Sequence, residues 1–221
     1  MSSRRDRLHP LATLLGRVEP DDCPTRVNFH CHTHCSDGSL APLDLACQAL
    51  ALGLEHLAVT DHHSLGAYER IADHFAEVRD QGRPTPTLWR GVEISSLLEG
   101  CLVHVLALGF GPDHGSLEPY LQSQAVVGAA LRAEAVVAAI QAAGGLAVLA
   151  HPARYRIHFR RLIAAAARLG FDGGEAWYDY DQLKHWKPTT PVCEAVATEL
   201  RTHGLLLSCG TDTHGHSLRG R

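Results

Sequence analysis

Short apolar runs alternate with longer helix-like segments along most of this chain, and glycine or proline stands at several of the boundaries. The apolar runs predict seven strands, at 26–32, 56–61, 87–95, 101–110, 146–150, 174–178 and 205–209. The segments between them predict helices, at about 42–53, 64–79, 117–143, 159–169 and from 190 onward. Pro42 near the start and Gly53 at the end of the first of these helices are typical of helix boundaries.

The third and fourth strands are an exception to this alternation. A tight turn at Glu99-Gly100 separates them, which predicts a β-hairpin. The other strands follow one another in mostly βα order, which favours a parallel sheet covered by helices. Nearly every strand ends in a polar side chain, whereas a doubly wound sheet would gather ligands only near its switch point. The pattern therefore predicts an α/β fold, a distorted seven-stranded (β/α)7 barrel.

The length and composition fit one domain after a short leader. The chain has 221 residues, of which 45% are hydrophobic, and this is enough for a single core. We divide it into a leader at 1–25 and one domain at 26–221. The apolar patch in the leader is too short and too charged for a signal peptide, and the apolar stretch at 125–143 is interrupted by polar residues. We expect a cytoplasmic protein with no membrane segment, and seven single cysteines without a CxxC pair predict reduced thiols.

The charge balance bears on the possible partners. The formal net charge is −4, which does not favour a basic surface for duplex nucleic acid. A small phosphorylated substrate, or a short oligonucleotide held mainly by metal, remains compatible with this charge. Sixteen histidines nearly match the 20 lysines and arginines, and this bias is the compositional indication of a metal centre.

Nine histidine, aspartate and glutamate side chains stand in or just after the predicted strands. They are His30, His32, Asp37, His62, Glu93, His104, His151, Asp212 and His214. Because a parallel barrel collects the ends of its strands at one face, these side chains would meet in one pocket. Imidazole nitrogen and carboxylate oxygen are ligands that suit Zn, Mn or Fe ions. The sequence therefore predicts a centre with several divalent metal ions.

Taken singly, these residues allow other readings. Asp37, in Ser-Asp-Gly, is equally compatible with a helix cap or a turn residue, and His104 taken alone is more typical of a core histidine whose hydrogen bonds are satisfied. Glu93 lies within an apolar strand, where an unpaired carboxylate would be costly, so a metal explains it better. Asp61 could bind metal or orient a neighbouring imidazole, and Cys31 is a lesser candidate ligand together with Cys35. His63, after His62, is interpreted as surface or substrate-facing.

The order of these motifs resembles the PHP superfamily, named for polymerase and histidinol phosphatase. The resemblance begins with Asn-Phe-His-Cys-His-Thr at 28–33, Ser-Asp-Gly at 36–38 and Val-Thr-Asp-His at 59–62. It continues with Gly-Val-Glu-Ile at 91–94, Val-His-Val at 103–105, Ala-His-Pro at 150–152 and Gly-Thr-Asp-Thr-His at 210–214. It covers about 26–216 and implies a barrel of PHP type with up to three metals at its C-terminal face.

The resemblance also implies a distribution of the ligands. One ion would take His30, His32, Glu93 and Asp212, a second Glu93, His104 and His151, and a third Asp37, His62 and His214. Aspartate rather than histidine at Asp37 resembles the small nucleotide phosphoesterases more than the histidinol phosphatases. The chain departs from the family pattern at Asn28, where aspartate is usual, and it lacks the small domain that many members carry between His104 and His151.

The resemblance implies hydrolysis of a phosphate ester of a small nucleotide-like substrate. The site would hold two to three divalent ions, and a hydroxide that bridges two of them would attack the phosphorus. His62 or His214 would stabilise or protonate the leaving oxygen, and Arg154 would grip a phosphate with its planar guanidinium. A histidinol-phosphate-type phosphatase and a non-catalytic metal-binding accessory module are the alternatives. An amidohydrolase is disfavoured, because no lysine precedes Lys184 to bridge metals within the barrel.

Overall fold

The computed structural model describes residues 9–113 and 115–220, whose seven strands form one sheet in chain order. The strands are β1 Val27–Asn28, β2 His56–Val59, β3 Thr87–Leu98, β4 Cys101–Leu108, β5 Leu146–Leu149, β6 Gly173–Trp177 and β7 Leu206–Cys209. The α-helices are α1 Pro10–Leu15, α2 Pro42–Leu52, α3 Tyr68–Asp80, α4 Ala133–Ala142, α5 Phe159–Leu169 and α6 Thr190–Thr202. Short 3₁₀ helices lie at Pro20–Asp22, Gly115–Tyr120, Gly128–Leu131 and Pro152–Arg154. Within the described ranges, no helix has the length and apolar character needed to cross a membrane.

The sheet curls into a nearly closed barrel with helices between its strands. Neighbouring strands are parallel except at β4, which is antiparallel to both β3 and β5. Beside the last strand, the Phe29 amide donates to the Cys209 carbonyl at 3.1 Å, and the Asp212 amide donates to the His30 carbonyl at 2.7 Å. The prediction of a distorted seven-stranded α/β barrel is confirmed, and the reversed β4 is the distortion that the hairpin turn produces.

The described part of the predicted leader packs against the barrel. The amide of Leu11 donates to the His9 ring at 3.1 Å, which caps α1. Leu11 and Leu15 are fully buried in the same apolar cluster as the barrel strands. The indole of Trp177 donates to the Val18 carbonyl at 3.1 Å. Residues before the first strand therefore contribute to the core.

The prediction of one long helix over 117–143 is wrong. The chain forms the 3₁₀ helices Gly115–Tyr120 and Gly128–Leu131, and only Ala133–Ala142 is α-helical. Pro119 has no backbone N–H to donate, and Gly128 adopts a φ of 66°. Arg132 is extended, with a ψ of 141°, so the helix starts after it. These backbone breaks outweigh the helix propensity of the alanines.

Phe75 provides a test of the core between the helices and the sheet. It is fully buried against a cluster that includes Leu45, Leu57 and Ile71. We expect Phe75→Ala to lower the free energy of unfolding by about 3–5 kcal/mol, because it leaves a cavity as well as removing apolar contacts. Urea denaturation measures this, with Leu43→Ala as control, since Leu43 is 49% exposed and should cost no more than about 0.5 kcal/mol. Equal losses in both variants would contradict the assigned packing.

Candidate metal centre

The nine side chains predicted as ligands converge at the mouth of the barrel. The donor atoms of eight of them form three groups, each with all its atoms within 4.8 Å of one another. The groups are His30, His32, Glu93 and Asp212; His32, Asp37, His62 and His214; and His62, Glu93 and His104. His151 adjoins the third group, since its Nε2 lies 3.3 Å from Glu93 Oε1. The geometry thus brings together every predicted ligand.

Glu93 lies at the centre of these groups. Its Oε2 is 3.1 Å from His30 Nε2 and 3.1 Å from His32 Nε2. Its Oε1 is 2.9 Å from His104 Nδ1 and 3.3 Å from His151 Nε2. His62 Nε2 lies 3.5 Å from the same Oε2. Each carboxylate oxygen therefore faces its own set of imidazoles, three at Oε2 and two at Oε1, which suits a ligand shared by two ions.

Asp212 faces the same buried pair of histidines from the other side. Its Oδ1 is 3.3 Å from His30 Nε2 and 3.1 Å from His32 Nε2. Its Oδ2 accepts hydrogen bonds from the Tyr178 hydroxyl at 2.5 Å and from Arg154 Nη1 at 3.0 Å. Arg154 thus reaches the pocket, where it contacts a predicted ligand through one nitrogen.

The remaining group lies nearer to solvent. Asp37 Oδ2 is 3.2 Å from His214 Nε2 and 3.8 Å from His62 Nε2. The side chain of Asp37 is 54% exposed, whereas that of His32 is fully buried. Burial, together with the neighbouring imidazoles of His32 and His104, lowers the pKa of His62 to about 4. The ring of His62 is therefore neutral at pH 7, as a metal ligand must be.

The charges of the buried groups balance one another in the metal-free protein. Burial alone would lower the pKa of His30, but Glu93, Glu175 and Asp212 raise it well above its ordinary value. Burial would likewise raise the pKa of Glu93, but His30 and His104 hold it well below its ordinary value. The centre therefore holds buried ion pairs at neutral pH.

Several buried nitrogen and oxygen atoms of the candidate ligands have no hydrogen-bond partner among the described residues. They are Nδ1 and Nε2 of His32, Oε1 of Glu93 and Nδ1 of His151. Buried polar atoms without a partner are rare and costly in folded proteins. His32 Nε2 and Glu93 Oε1 face other ligand atoms at close range without hydrogen-bond alignment. A divalent cation would satisfy both, so the donor set fits a Zn, Mn or Fe ion.

Glu175 was not predicted from the sequence, although it contacts two predicted ligands. It is fully buried in β6, and its Oε1 lies 3.1 Å from His30 Nδ1. Its Oε2 accepts a hydrogen bond from the His151 amide at 2.9 Å. The signal that could have revealed it is the one that revealed Glu93, a single carboxylate within an apolar strand.

Two neighbours of His62 have structural roles. The Asp61 carboxylate accepts hydrogen bonds from the Thr33 amide at 2.7 Å and from the Ser36 hydroxyl at 2.7 Å, which fixes the loop before Asp37. The prediction that His63 faces surface or substrate is wrong, since it is only 4% exposed. Its Nε2 accepts a hydrogen bond from the Ser95 amide at 3.1 Å, and its Nδ1 lies 3.1 Å from the Tyr120 carbonyl oxygen.

Asn28 and the cysteines also hold the local structure. Asn28 Oδ1 accepts from the amides of His30 at 3.3 Å and Thr211 at 3.2 Å, and its Nδ2 donates to Thr211 Oγ1 at 2.9 Å. An aspartate could not donate this last bond. The Cys31 thiol lies 3.5 Å from the carbonyl oxygen of residue 58, and the three ligand groups contain neither Cys31 nor Cys35.

Gly210 allows His30 to approach the end of β7. A Cβ added at Gly210 would lie 2.2 Å from His30 Cβ and 2.5 Å from its backbone nitrogen. We expect Gly210→Ala to displace His30, to lower the free energy of unfolding by at least about 1–3 kcal/mol and to weaken metal binding. Thermal melting with metal analysis tests this, with Gly111→Ala as control, because its new Cβ would meet its nearest atom at 3.7 Å. A variant that melts and binds metal like the wild type would contradict this close contact.

Comparison with known proteins places the chain in a family. The model of the PHP domain matches residues 28–168. A 5'-3' exoribonuclease of Haemophilus influenzae is 30% identical over 154 residues, which cover 67% of this chain and 54% of that protein. A 3',5'-nucleoside bisphosphate phosphatase of Chromobacterium violaceum is 32% identical over 118 residues, which cover 53% of this chain and 39% of that protein. The chain spans about half or less of the length of these curated relatives.

Solved structures share the fold. A protein of Chromobacterium violaceum described as an amidohydrolase, with bound sulfate and no metal, superposes with a TM-score of 0.70 at 23% identity, covering 86% of this chain and 88% of that one. A candidate metal-dependent phosphoesterase of Bifidobacterium adolescentis gives 0.69 at 22% identity, covering 92% of each chain. At these identities the likeness concerns the fold alone. The family match, which covers more than half of the chain, shows that this protein belongs to the PHP domain family.

Proposed function

We propose that this chain is a metal-dependent phosphoesterase that hydrolyses a phosphate ester of a small nucleotide-like substrate. The observation that carries the proposal is the position of Glu93, whose two buried oxygens each face a separate set of imidazoles. The names of two relatives, an exoribonuclease and a nucleoside bisphosphate phosphatase, both refer to phosphate esters of nucleotides. The position of Glu93 supports a centre with more than one metal ion, and the relatives support phosphorus as the reacting atom.

The residues would divide among the proposed ions as the resemblance to the family implies. The donor-atom groups agree with this for the buried ion, and they additionally place His32 beside the outer residues and His62 beside Glu93 and His104. His30, His32, Glu93 and Asp212 would hold the buried ion, and Glu93 would share a second with His104 and His151. Asp37, His62 and His214 would hold a third ion on the solvent side. When bound, such ions lower the pKa of water and neutralise phosphoryl oxygens.

The side chains at the mouth would orient the substrate. His62 and His214 are 25% and 30% exposed, so the leaving oxygen would depart on their side of the pocket. The Nδ1 of His214 lies 2.9 Å from the backbone oxygen of Asp212, which directs Nε2 towards Asp37. Arg154 is 34% exposed, and within the described residues its only side-chain hydrogen bonds run from Nη1. The rest of its guanidinium group would bind a phosphate oxygen.

Two arginines that follow His151 are consistent with a small substrate, because they form their bonds within the protein. Arg156 Nη2 donates to the Gly100 carbonyl at 2.5 Å, and Arg161 Nη2 donates to Glu99 Oε2 at 2.8 Å. Both arginines are thus engaged with the turn between β3 and β4. With a formal net charge of −4, the protein would bind a short nucleotide through metal rather than a long duplex through its surface.

Release of inorganic phosphate or of a nucleoside monophosphate from a substrate panel, with the products separated by ion-exchange chromatography, tests this proposal. The panel contains nucleoside 3',5'-bisphosphates, nucleoside monophosphates, 5'-phosphorylated dinucleotides and histidinol phosphate, each with and without added Mn²⁺. We expect Mn-dependent release from a nucleotide. Release from histidinol phosphate alone would favour the histidinol-phosphate-type phosphatase, and metal-loaded protein without any release would favour an accessory module.

A further inference from the structure

Glu175 is a buried carboxylate that has no role in the proposed mechanism. It is fully buried in β6, where its two oxygens lie 3.1 and 3.2 Å from His30 Nδ1. In the described part of the chain, no lysine or arginine forms an ion pair with it. An isolated buried carboxylate is costly, so its charge must be balanced through the histidine that it contacts.

The contact with His30 fixes which ring nitrogen can bind a metal. A carboxylate next to Nδ1 holds a proton on that nitrogen, so a metal ion would replace the proton on Nε2 and bind there. His30 Nε2 is the atom that faces Glu93 Oε2 at 3.1 Å and Asp212 Oδ1 at 3.3 Å. In metalloproteins, a carboxylate on the far ring nitrogen orients the imidazole and strengthens it as a ligand.

The contact with His151 acts on the backbone. His151 has φ and ψ of 27° and 61°, a left-handed conformation that residues other than glycine seldom adopt. Its amide donates to Glu175 Oε2 at 2.9 Å, which helps to hold this conformation. The His151 ring then reaches Glu93 Oε1 with its Nε2 at 3.3 Å.

We propose that Glu175 is a positioning residue for two metal positions at once, through the ring of His30 for one and the backbone of His151 for the other. The proposal rests on the proposed function only in taking the pocket as a metal centre. Among the residues that the structure describes, none of the hydrogen bonds of Glu175 reaches the outer group of Asp37, His62 and His214. Loss of Glu175 should therefore weaken the two inner positions selectively.

Metal titration of Glu175→Gln tests the selectivity. Chelator-treated wild type and variant are titrated with Mn²⁺ against a fluorescent metal indicator. We expect the two inner positions to lose about 10–100-fold in affinity, the range typical of such supporting partners, while the outer position is unchanged. Asp179→Asn is the matched control, because Asp179 is only 6% exposed and accepts from the amides of Asp181 and Leu183. It should bind metal like the wild type.

Imidazole ¹⁵N NMR of the zinc-loaded proteins gives a readout that general destabilisation does not move. We expect the Nδ1–H signal of His30 to shift in Glu175→Gln and to stay in place in Asp179→Asn. A folded Glu175→Gln variant with wild-type Mn²⁺ affinities and an unmoved His30 signal would overturn this proposal alone. Wild-type protein that binds no Mn²⁺ would overturn the proposed function as well. The glutamine variant keeps the size of the side chain, so it decides the test even if Glu175→Ala fails to fold.

Discussion

Replacement of Glu93 by glutamine is expected to lower kcat/KM by about a thousandfold or more. A carboxamide offers one good oxygen ligand, so it cannot serve both sets of imidazoles that the carboxylate faces. Loss of about 4 kcal/mol of metal stabilisation in the transition state corresponds to roughly this factor. Steady-state phosphate release, with the metal content of the same preparation, measures the effect.

Glu134→Gln is the control for this substitution. Glu134 lies exposed in the first turn of α4, away from the ligand groups. We expect it to keep full activity and full metal content. A folded Glu93→Gln variant with wild-type turnover and metal content would show that Glu93 is not a shared ligand.

Removal of metal is expected to abolish phosphate release and to lower the melting temperature. A ligand at about 100 times its dissociation constant stabilises a protein by roughly 2.7 kcal/mol for each site. For a chain of this size, this corresponds to a shift of roughly 5–10 °C for each ion. Differential scanning calorimetry of chelator-treated protein, before and after addition of Mn²⁺ or Zn²⁺, measures the shift.

Asp212→Asn separates specific binding from a general effect of the cations. Asp212 Oδ1 faces both buried histidines, so this variant should lose most of the metal-dependent rise in melting temperature. Phe75→Ala should keep the rise while it melts at a lower temperature throughout, because Phe75 lies in the apolar core. Identical melting with and without metal in the wild type would contradict a metal centre.

The barrel could be predicted because its strands are buried. The strands β5 and β6 are buried along their whole length. In the sequence β5 is therefore an unbroken apolar run, and β6 is interrupted only by Glu175. The turn at Glu99-Gly100 likewise revealed the hairpin, since both residues have positive φ. The prediction of a helix over 117–143 failed because the composition of this region favours a helix, whereas Pro119 and Gly128 interrupt the helical backbone. Propensity alone does not show which of the two prevails.

The positions of the candidate ligands could be predicted, whereas their supporting contacts could not. His30, His151 and Asp212 follow strands, so the barrel topology alone brings them to one face. The contacts of Glu175 and Arg154 depend on distances across the barrel between residues that are far apart in the sequence. These distances come from the curvature of the sheet, which the pattern of single residues does not specify.

The metal content of the purified protein tests the central claim most directly. Mass spectrometric metal analysis of wild type and Glu93→Gln, after incubation with Mn²⁺ or Zn²⁺ and removal of free ions, gives the number of ions retained by each chain. We predict two to three ions in the wild type, in line with the three donor groups, and fewer in the variant. A folded wild-type protein that retains no ion under either condition would contradict the account.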